Sequence, residues 1–298
     1  MIVVERAPPY LTVQDRGRFG YRASGVPVAG AMDQWSFAIA NLLAGNDRSA
    51  AALEWAIGAG SLRFETDTRI AMAGAAVEAT MDDVPVTCGV PLDVRAGQVL
   101  TVRRLIDLRF VYVAVAGGLA CPEVLGSRST YLPASLGGID GRRLKTGDRI
   151  NIGERRSGAE HEIPPTSIGP AFGAEALRFV ATSAIETKHI EHATFRVSQM
   201  SDRMGYRLES EGGAAIRGAS VTSEPVCPGT IQLPPDGQPI VLMADSPTIG
   251  GYRVAGAVIS ADLPILAQCM PGRRVTFAAV SADAAQTELQ RRENALMR

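Results

Sequence analysis

The side chains best suited to chemistry fall into two groups. One lies between Ser223 and Gly256, in SEPVCPGTIQLPPDGQPIVLMADSPTIGGYRVAG: Glu224, Gln232, Asp245, Thr248, Tyr252 and Arg253. The other comprises Asp15, Arg16, Asp33 and Arg128, and Arg203 stands between the groups. The carboxylates of Asp15, Asp33, Glu224 and Asp245 are candidate proton carriers where burial tunes them. Arginine offers a planar fork that grips carboxylate oxygens in pairs, and N–H groups at glycine-rich turns add fixed donors for a developing oxyanion. Arg16, Arg128, Arg203 and Arg253 therefore read as substrate-holding candidates, with Gln232, Thr248 and Tyr252 as neutral ones. Lys145 and Lys188 are the only lysines, so charge contacts fall to arginine.

These residues need a scaffold that holds tight turns. In the 223–256 stretch, Pro225, Pro228, Pro234, Pro235, Pro239 and Pro247 fix φ. Gly229, Gly237, Gly250 and Gly251 admit positive φ or close backbone approach. The apolar run Ile240 to Ala244 is of strand type. The stretch reads as a site on loops over a β scaffold, or as a set of tight turns in an all-β domain. Ser127-Arg128-Ser129-Thr130, between glycine-rich turns, reads as an anion loop or as a capped turn.

Two loops repeat. Asp15-Arg16 with Gly20-Tyr21-Arg22 matches Asp202-Arg203 with Gly205-Tyr206-Arg207, and Pro27 to Asp33 weakly matches Pro225 to Gln232. The arginines of the first pairing read as holders of an anionic ligand or as members of ion pairs that fix a turn. A separation of about 190 residues is too long for a solenoid and fits two related β domains. We place them at 1–158 and 172–280, with a C-terminal helix at 281–298. The charged, proline-rich run Glu154 to Pro170 marks the linker. Strands are expected at 3–5, 53–57, 61–65, 69–73, 77–80, 84–87, 99–103 and 108–116, then at 176–181, 194–198, 257–260 and 274–280. Asp82-Asp83 makes a hairpin tip. Asp33 caps a helix over Gln34–Ala44 with Trp35, Ile39, Leu42 and Leu43 on one face. Ser281 caps the last helix, which carries Ala285, Leu289 and Leu296.

Composition excludes several function classes. With 30 basic and 31 acidic residues the net charge is −1, which gives no support for nucleic acid or an anionic membrane as partner. No apolar run is long enough to span a bilayer, and the N-terminus lacks a signal-peptide pattern, so a cytoplasmic location is expected. Cys88, Cys121, Cys227 and Cys269 are scattered, and His161, His189 and His192 have no ligand cluster around them, so no metal site is expected. Phosphate-loop and dinucleotide fingerprints are absent, as is Gly-x-Ser-x-Gly.

Taken in order, seven motifs resemble the biotin-dependent carboxyltransferase-like family, which includes the 5-oxoprolinase C subunit, allophanate hydrolase subunit 2 and the kinase-inhibitor antagonists. They are VQDRGRFGYRASGVPVAGAMD, ANLLAGN, VAGGLACPEVLGSRSTYL, GGIDGRRLKTGD, SDRMGYRL, IQLPPDGQPIVLM and ISADLPILAQCMPG. The resemblance implies a mainly β chain of two cyclophilin-like β-barrel domains with a few short helices. It implies a subunit of a heteromeric complex acting on a small amide or lactam, by ATP-dependent conversion of 5-oxoproline to glutamate or by urea-type carboxylation. The partners implied are a B-type subunit of related fold and an amidohydrolase-like A subunit. ATP or carboxybiotin would act at the level of the complex, with no cofactor bound by this chain alone. The alternative is a non-catalytic regulator that binds a partner of the B type. After Asp245 the family has Gln-Thr-Thr-Gly-Gly-Tyr-Pro, where this chain has Ser246-Pro247-Thr248-Ile249-Gly250-Gly251-Tyr252-Arg253. Arg253 in place of proline adds a cation and a backbone donor, which favours a more acidic substrate where that segment touches it.

Overall fold

Short runs of β-branched and aliphatic residues with two-residue alternation dominate the chain, and they fold as strands. The structure, a computed structural model, describes residues 1–155, 176–182, 188, 190–211 and 218–296. These residues form two compact units. One holds residues 1–19 and 29–155. The other holds residues 20–28 and the described residues from 176 to 296. Segment 20–28, read with the first domain in sequence, groups with the second unit. The linker beyond Arg155, the domain start at 172, and His161 and His189 lie outside the described residues. The fold is mainly β, with two nearly closed, barrel-shaped sheets.

The first sheet contains β1 (Ile2–Arg6), β2 (Tyr10–Gln14), β3 (Ala52–Ile57), β4 (Gly60–Phe64), β5 (Thr68–Met81), β6 (Val84–Val86), β7 (Leu92–Val94), β8 (Val99–Val115), β9 (Leu119–Ala120) and β10 (Arg149–Ile152). Its spine is β8. One edge of β8 pairs with β4 and β3 in turn, and the other pairs with β5 along nearly its whole length. The end of β8 from Phe110 onward is buried, as its two apolar faces predict. The strands expected separately at 69–73 and 77–80 are one strand, and so are those at 99–103 and 108–116. Bulges between Gly74 and Ala76 and between Glu78 and Ala79 bend β5 without ending it. Asp82 and Asp83 take positive φ at the β5–β6 tip. Strand β2 is not among the expected strands, because its buried Thr12 and Gln14 look like surface residues in sequence. Backbone bonds from Thr130 to Val13 (2.9 Å) and from Leu144 to Leu11 (2.9 Å) cover the free edge of β2 with a loop. Leu11, Val13, Leu53, Trp55, Leu62, Phe64, Leu100 and Val113 fill the core. Helix α1 (Gln34–Leu43) follows, buried from Ser36 to Leu42 rather than along one stripe.

The second sheet contains β11 (Leu177–Ala181), β12 (Phe195–Val197), β13 (Gly205–Ser210), β14 (Ser220–Pro225), β15 (Thr230–Leu233), β16 (Ile240–Leu242), β17 (Ile249–Val258), β18 (Arg274–Val275) and β19 (Phe277–Ala279). Strand β14 pairs with the first part of β17, outside the main strand order. Tyr252 and Arg253 therefore stand on a strand and not on a loop. Helix α2 (Leu263–Ala267) is a five-residue turn around Pro264, too short to show a helical period in sequence. Helix α3 (Ala282–Ala295) is capped by Ser281, whose side chain accepts from Ala284 N. It docks through ions, with Arg292 buried and the expected apolar residues Ala285 and Leu289 only half-buried: Arg178 grips Asp262 and also reaches Glu288, which pairs with Arg291 and Arg292.

The loop repeat is partly structural. Asp15 accepts from Gly17 N (2.8 Å) and Asp202 from Met204 N (2.8 Å), so both copies use aspartate to close a turn. The second Gly-Tyr-Arg opens β13 with Tyr206 buried, whereas the first leads into a 3₁₀ turn at Arg22–Ser24. The likeness thus ends at the aspartate turn.

Candidate functional site

In the first unit, β2 delivers Asp15 to the 127–130 loop. The Asp15 carboxylate accepts from Ser127 Oγ (2.7 Å), Arg128 N (2.6 Å), Gly17 N (2.8 Å) and Ser129 Oγ. Asp15 N donates to Ser129 Oγ (3.0 Å). The Ser-Arg-Ser loop does hold an anion, and that anion is the protein's own aspartate. The geometry is therefore the capped-turn alternative. Arg128 sends Nε to the Cys121 carbonyl (2.9 Å) and Nη1 to Glu123 (2.6 Å). Arg16 is exposed, while Arg18, two residues on, is buried and donates to Ser129 O. Gly137 lies so close that a Cβ there would collide with Ser129 O, which explains a glycine at φ +70°.

Asp33 is the N-cap of α1, as its position before Gln34 predicts. Its carboxylate accepts from Trp35 N (3.1 Å) and Ser36 N (2.9 Å). Its own N–H donates to Tyr112 Oη (2.8 Å), which donates to Glu54 Oε2 (2.8 Å). Glu54 also accepts from Met32 N (2.8 Å). Burial, first, and then the negative charges of Glu54 and Asp33 push the Tyr112 phenol well above its ordinary range. It therefore stays a donor. Glu54 and Tyr112 are not among the residues the sequence singles out. The available signal was a carboxylate inside the apolar strand ALEWAI.

In the second unit, β13 and β16 are antiparallel neighbours, with Gly205 opposite Leu242. That pairing sets Arg203, just before β13, beside Asp245, just after β16. The pair is bidentate: Nε to Oδ2 and Nη2 to Oδ1, both 2.8 Å, with Asp245 N donating to Arg203 O (2.9 Å). Both residues are buried. A fork-to-fork pair of this kind fixes geometry strongly.

Gln232 on β15 is 4% exposed, and its Nε2 has no hydrogen-bond partner among the described residues. It lies against Gly250 on β17, where a Cβ would collide with Nε2 and approach Val226 Cγ1 to 3.2 Å. Val226 N donates to Thr248 O (3.0 Å). Ser246 Oγ, beside Asp245, is likewise buried without a partner among the described residues. Glu224 is exposed on β14 opposite Gly250, and Tyr252 is exposed opposite Ser220. Arg253 is half-buried, its N–H on Ala219 O (3.0 Å). The structure thus joins Arg203 to Asp245, sets Gln232 against Gly250, ties Thr248 to Val226, and engages the carboxylates of Asp15 and Asp33 within the fold. Among the described residues no cluster of His, Cys, Asp and Glu could hold a metal ion.

Residues 24–279 match the model of the carboxyltransferase domain, subdomain A and B. The chain is 40% identical over 291 residues to the 5-oxoprolinase C subunit of Escherichia coli, covering 96% of this chain and 93% of that protein. It is 36% identical to the 5-oxoprolinase C subunit of Haemophilus influenzae, covering 91% and 88%. The crystal structure of Kluyveromyces lactis urea carboxylase superposes with a TM-score of 0.91 at 26% identity, over 99% of this chain. This chain spans 29% of that larger one. The chain belongs to the carboxyltransferase-domain family of subdomain A and B type, together with the C subunits of 5-oxoprolinase.

Proposed function

We propose that this chain is the C-type subunit of a multi-subunit enzyme that acts on a small amide or lactam, 5-oxoproline being the first candidate. The observation that carries this reading is the 40% identity to the C subunit of 5-oxoprolinase, across nearly the full length of both chains. The partners would be a B-type subunit of related fold and an amidohydrolase-like A subunit. The second unit is favoured as the substrate site, with Arg203 and Asp245 as its rigid floor and Gln232 and Thr248 near the substrate. Tyr252 and Arg253 would screen it from β17. Of the proposed proton carriers, Glu224 is exposed and makes no ion pair among the described residues, whereas Asp15, Asp33 and Asp245 spend their carboxylates on the fold. ATP or carboxybiotin chemistry is assigned to the complex. The serine loop at 127–130 has the donors for a phosphate but is filled by Asp15, so it does not fit one. No helix among the described residues is long and apolar enough to cross a membrane.

The test is to co-express the chain with A-type and B-type partners from its own genome and assay ATP-dependent 5-oxoproline hydrolysis. Turnover that requires this chain supports the proposal. A stable complex without turnover refutes it and leaves a regulatory role.

A further inference from the structure

Arg22 lies on segment 20–28, the piece of N-terminal sequence that groups with the second unit. Its Nη2 donates to the carbonyl of Val226. Its Nη1 is closed off from solvent and has no hydrogen-bond partner among the described residues. Gln232 Nε2 is in the same condition. Both donors border the surroundings of one residue. The Val226 carbonyl takes Arg22, and the Val226 side chain and the Gln232 amide both crowd Gly250. Buried donors without acceptors are uncommon in native proteins and call for an explanation. Here two occur around Val226, and one belongs to a guanidinium.

An acceptor that satisfies both must offer two oxygens and, beside arginine, a negative charge. A carboxylate meets that description, since its oxygens match the guanidinium fork and accept from an amide N–H as well. We propose that Arg22 and Gln232 form a carboxylate-binding site, which holds the carboxylate of a lactam or amide acid and so selects it over a neutral amide. The lactam half of that ligand rests on the function proposed above; the carboxylate half rests on the two donors.

The cover over the donors comes from the root of one ribbon. Val226 directly follows β14, and Gly250 lies at the start of β17, opposite Glu224. Strand β14 is exposed along its whole length and, among the described residues, pairs with β17 alone. Lifting the ribbon from Ile249 to Tyr252 draws Gly250 and Val226 away from Gln232 Nε2 and from Arg22, while β15 keeps its pairing with β16 and with β17 from Arg253 to Ala257. The ligand enters by that movement, and its carboxylate replaces water lost on burial.

The experiment is calorimetric titration of the full-length chain with 5-oxoproline and with 2-pyrrolidinone, the same ring without the carboxylate. The wild type is expected to bind 5-oxoproline at least about ten-fold more tightly, the scale of one charge-assisted hydrogen bond. Arg22→Met should erase that preference. Gly250→Ala pushes the Gln232 amide aside and leaves Arg22 untouched; it should reduce the preference while the chain stays folded, which keeps the test open if Arg22→Met does not fold. No preference in the wild type, no binding of either compound, or an unchanged preference in a folded variant overturns the proposal. The two readings fail separately. Turnover by the complex without a carboxylate preference sinks this site alone, and a preference without turnover sinks the enzymatic reading alone.

Discussion

Replacing Asp15 by alanine removes the one acceptor shared by Ser127 Oγ, Ser129 Oγ, Arg128 N and Gly17 N. The two hydroxyls can rotate to other acceptors. The two backbone N–H groups are fixed by the chain and cannot. At about 1–3 kcal/mol for each buried donor left unsatisfied, the loss is about 4 kcal/mol. That is a large share of the ~5–15 kcal/mol that holds a typical domain together. The assay is specific to the first unit because both tryptophans, Trp35 and Trp55, lie in it. With a urea dependence of about 2 kcal/mol per molar, the fluorescence midpoint should fall by about 2 M. A fall below about 0.5 M would show that the Asp15 carboxylate is dispensable to the fold. It would then be free for proton transfer, and the capped-turn reading would fail.

Three further outcomes follow from the same geometry. Tyr112→Phe strips the acceptor from Asp33 N and a donor from Glu54, so the tryptophan-monitored midpoint should drop by the equivalent of about 2–4 kcal/mol. Gly137→Ala drives a Cβ into the Ser129 carbonyl at φ +70° and should prevent the first unit from folding, whereas Gly147→Ala, at φ +92° with open space around it, should cost only about 1 kcal/mol of backbone strain; soluble yield and midpoint separate the two. Glu288 is held down to about 2 from an ordinary 4.5, first by its bond to Arg291 and then by Arg178. Because the folded value is the lower one, its contribution to docking α3 is fully present above about pH 4.5 and is lost as pH falls toward 2. Hydrogen exchange of α3 should therefore accelerate across that window, and Glu288→Gln should show the fast exchange already at pH 7.

Local features are legible in the sequence and long-range ones are not. Asp33 before Gln34 reads as a cap because its partners, Trp35 and Ser36, are two and three residues away. Ser281 before α3 reads the same way. Arg203 and Asp245, 42 positions apart in sequence, are each recognisable as candidates, but their union depends on β13 pairing with β16. Asp15 and the 127–130 loop are both recognisable too. That one fills the other follows only from β2 running beside that loop, through the bond from Thr130 N to Val13 O. Thr12 and Gln14 hide β2 because polar residues normally face water, yet Gln14 is buried by donating to Thr12 Oγ1 and Thr130 O (3.1 Å each). The loop repeat makes Arg22 one of several arginines that could hold an anion. Its meeting with Val226, beside Gln232, depends on segment 20–28 joining the second unit, which leaves no trace in local periodicity.

The most direct test is ATP-dependent 5-oxoproline hydrolysis by the assembled complex carrying Gln232→Leu in this chain, with assembly checked by gel filtration. Gln232→Leu keeps the buried volume and removes the amide that the second-unit site offers to substrate. The account predicts an intact complex whose kcat/KM falls by about 100-fold, the scale of one lost polar contact in a dry site. An intact complex with wild-type kcat/KM would contradict it, placing the substrate away from Gln232 and Arg22.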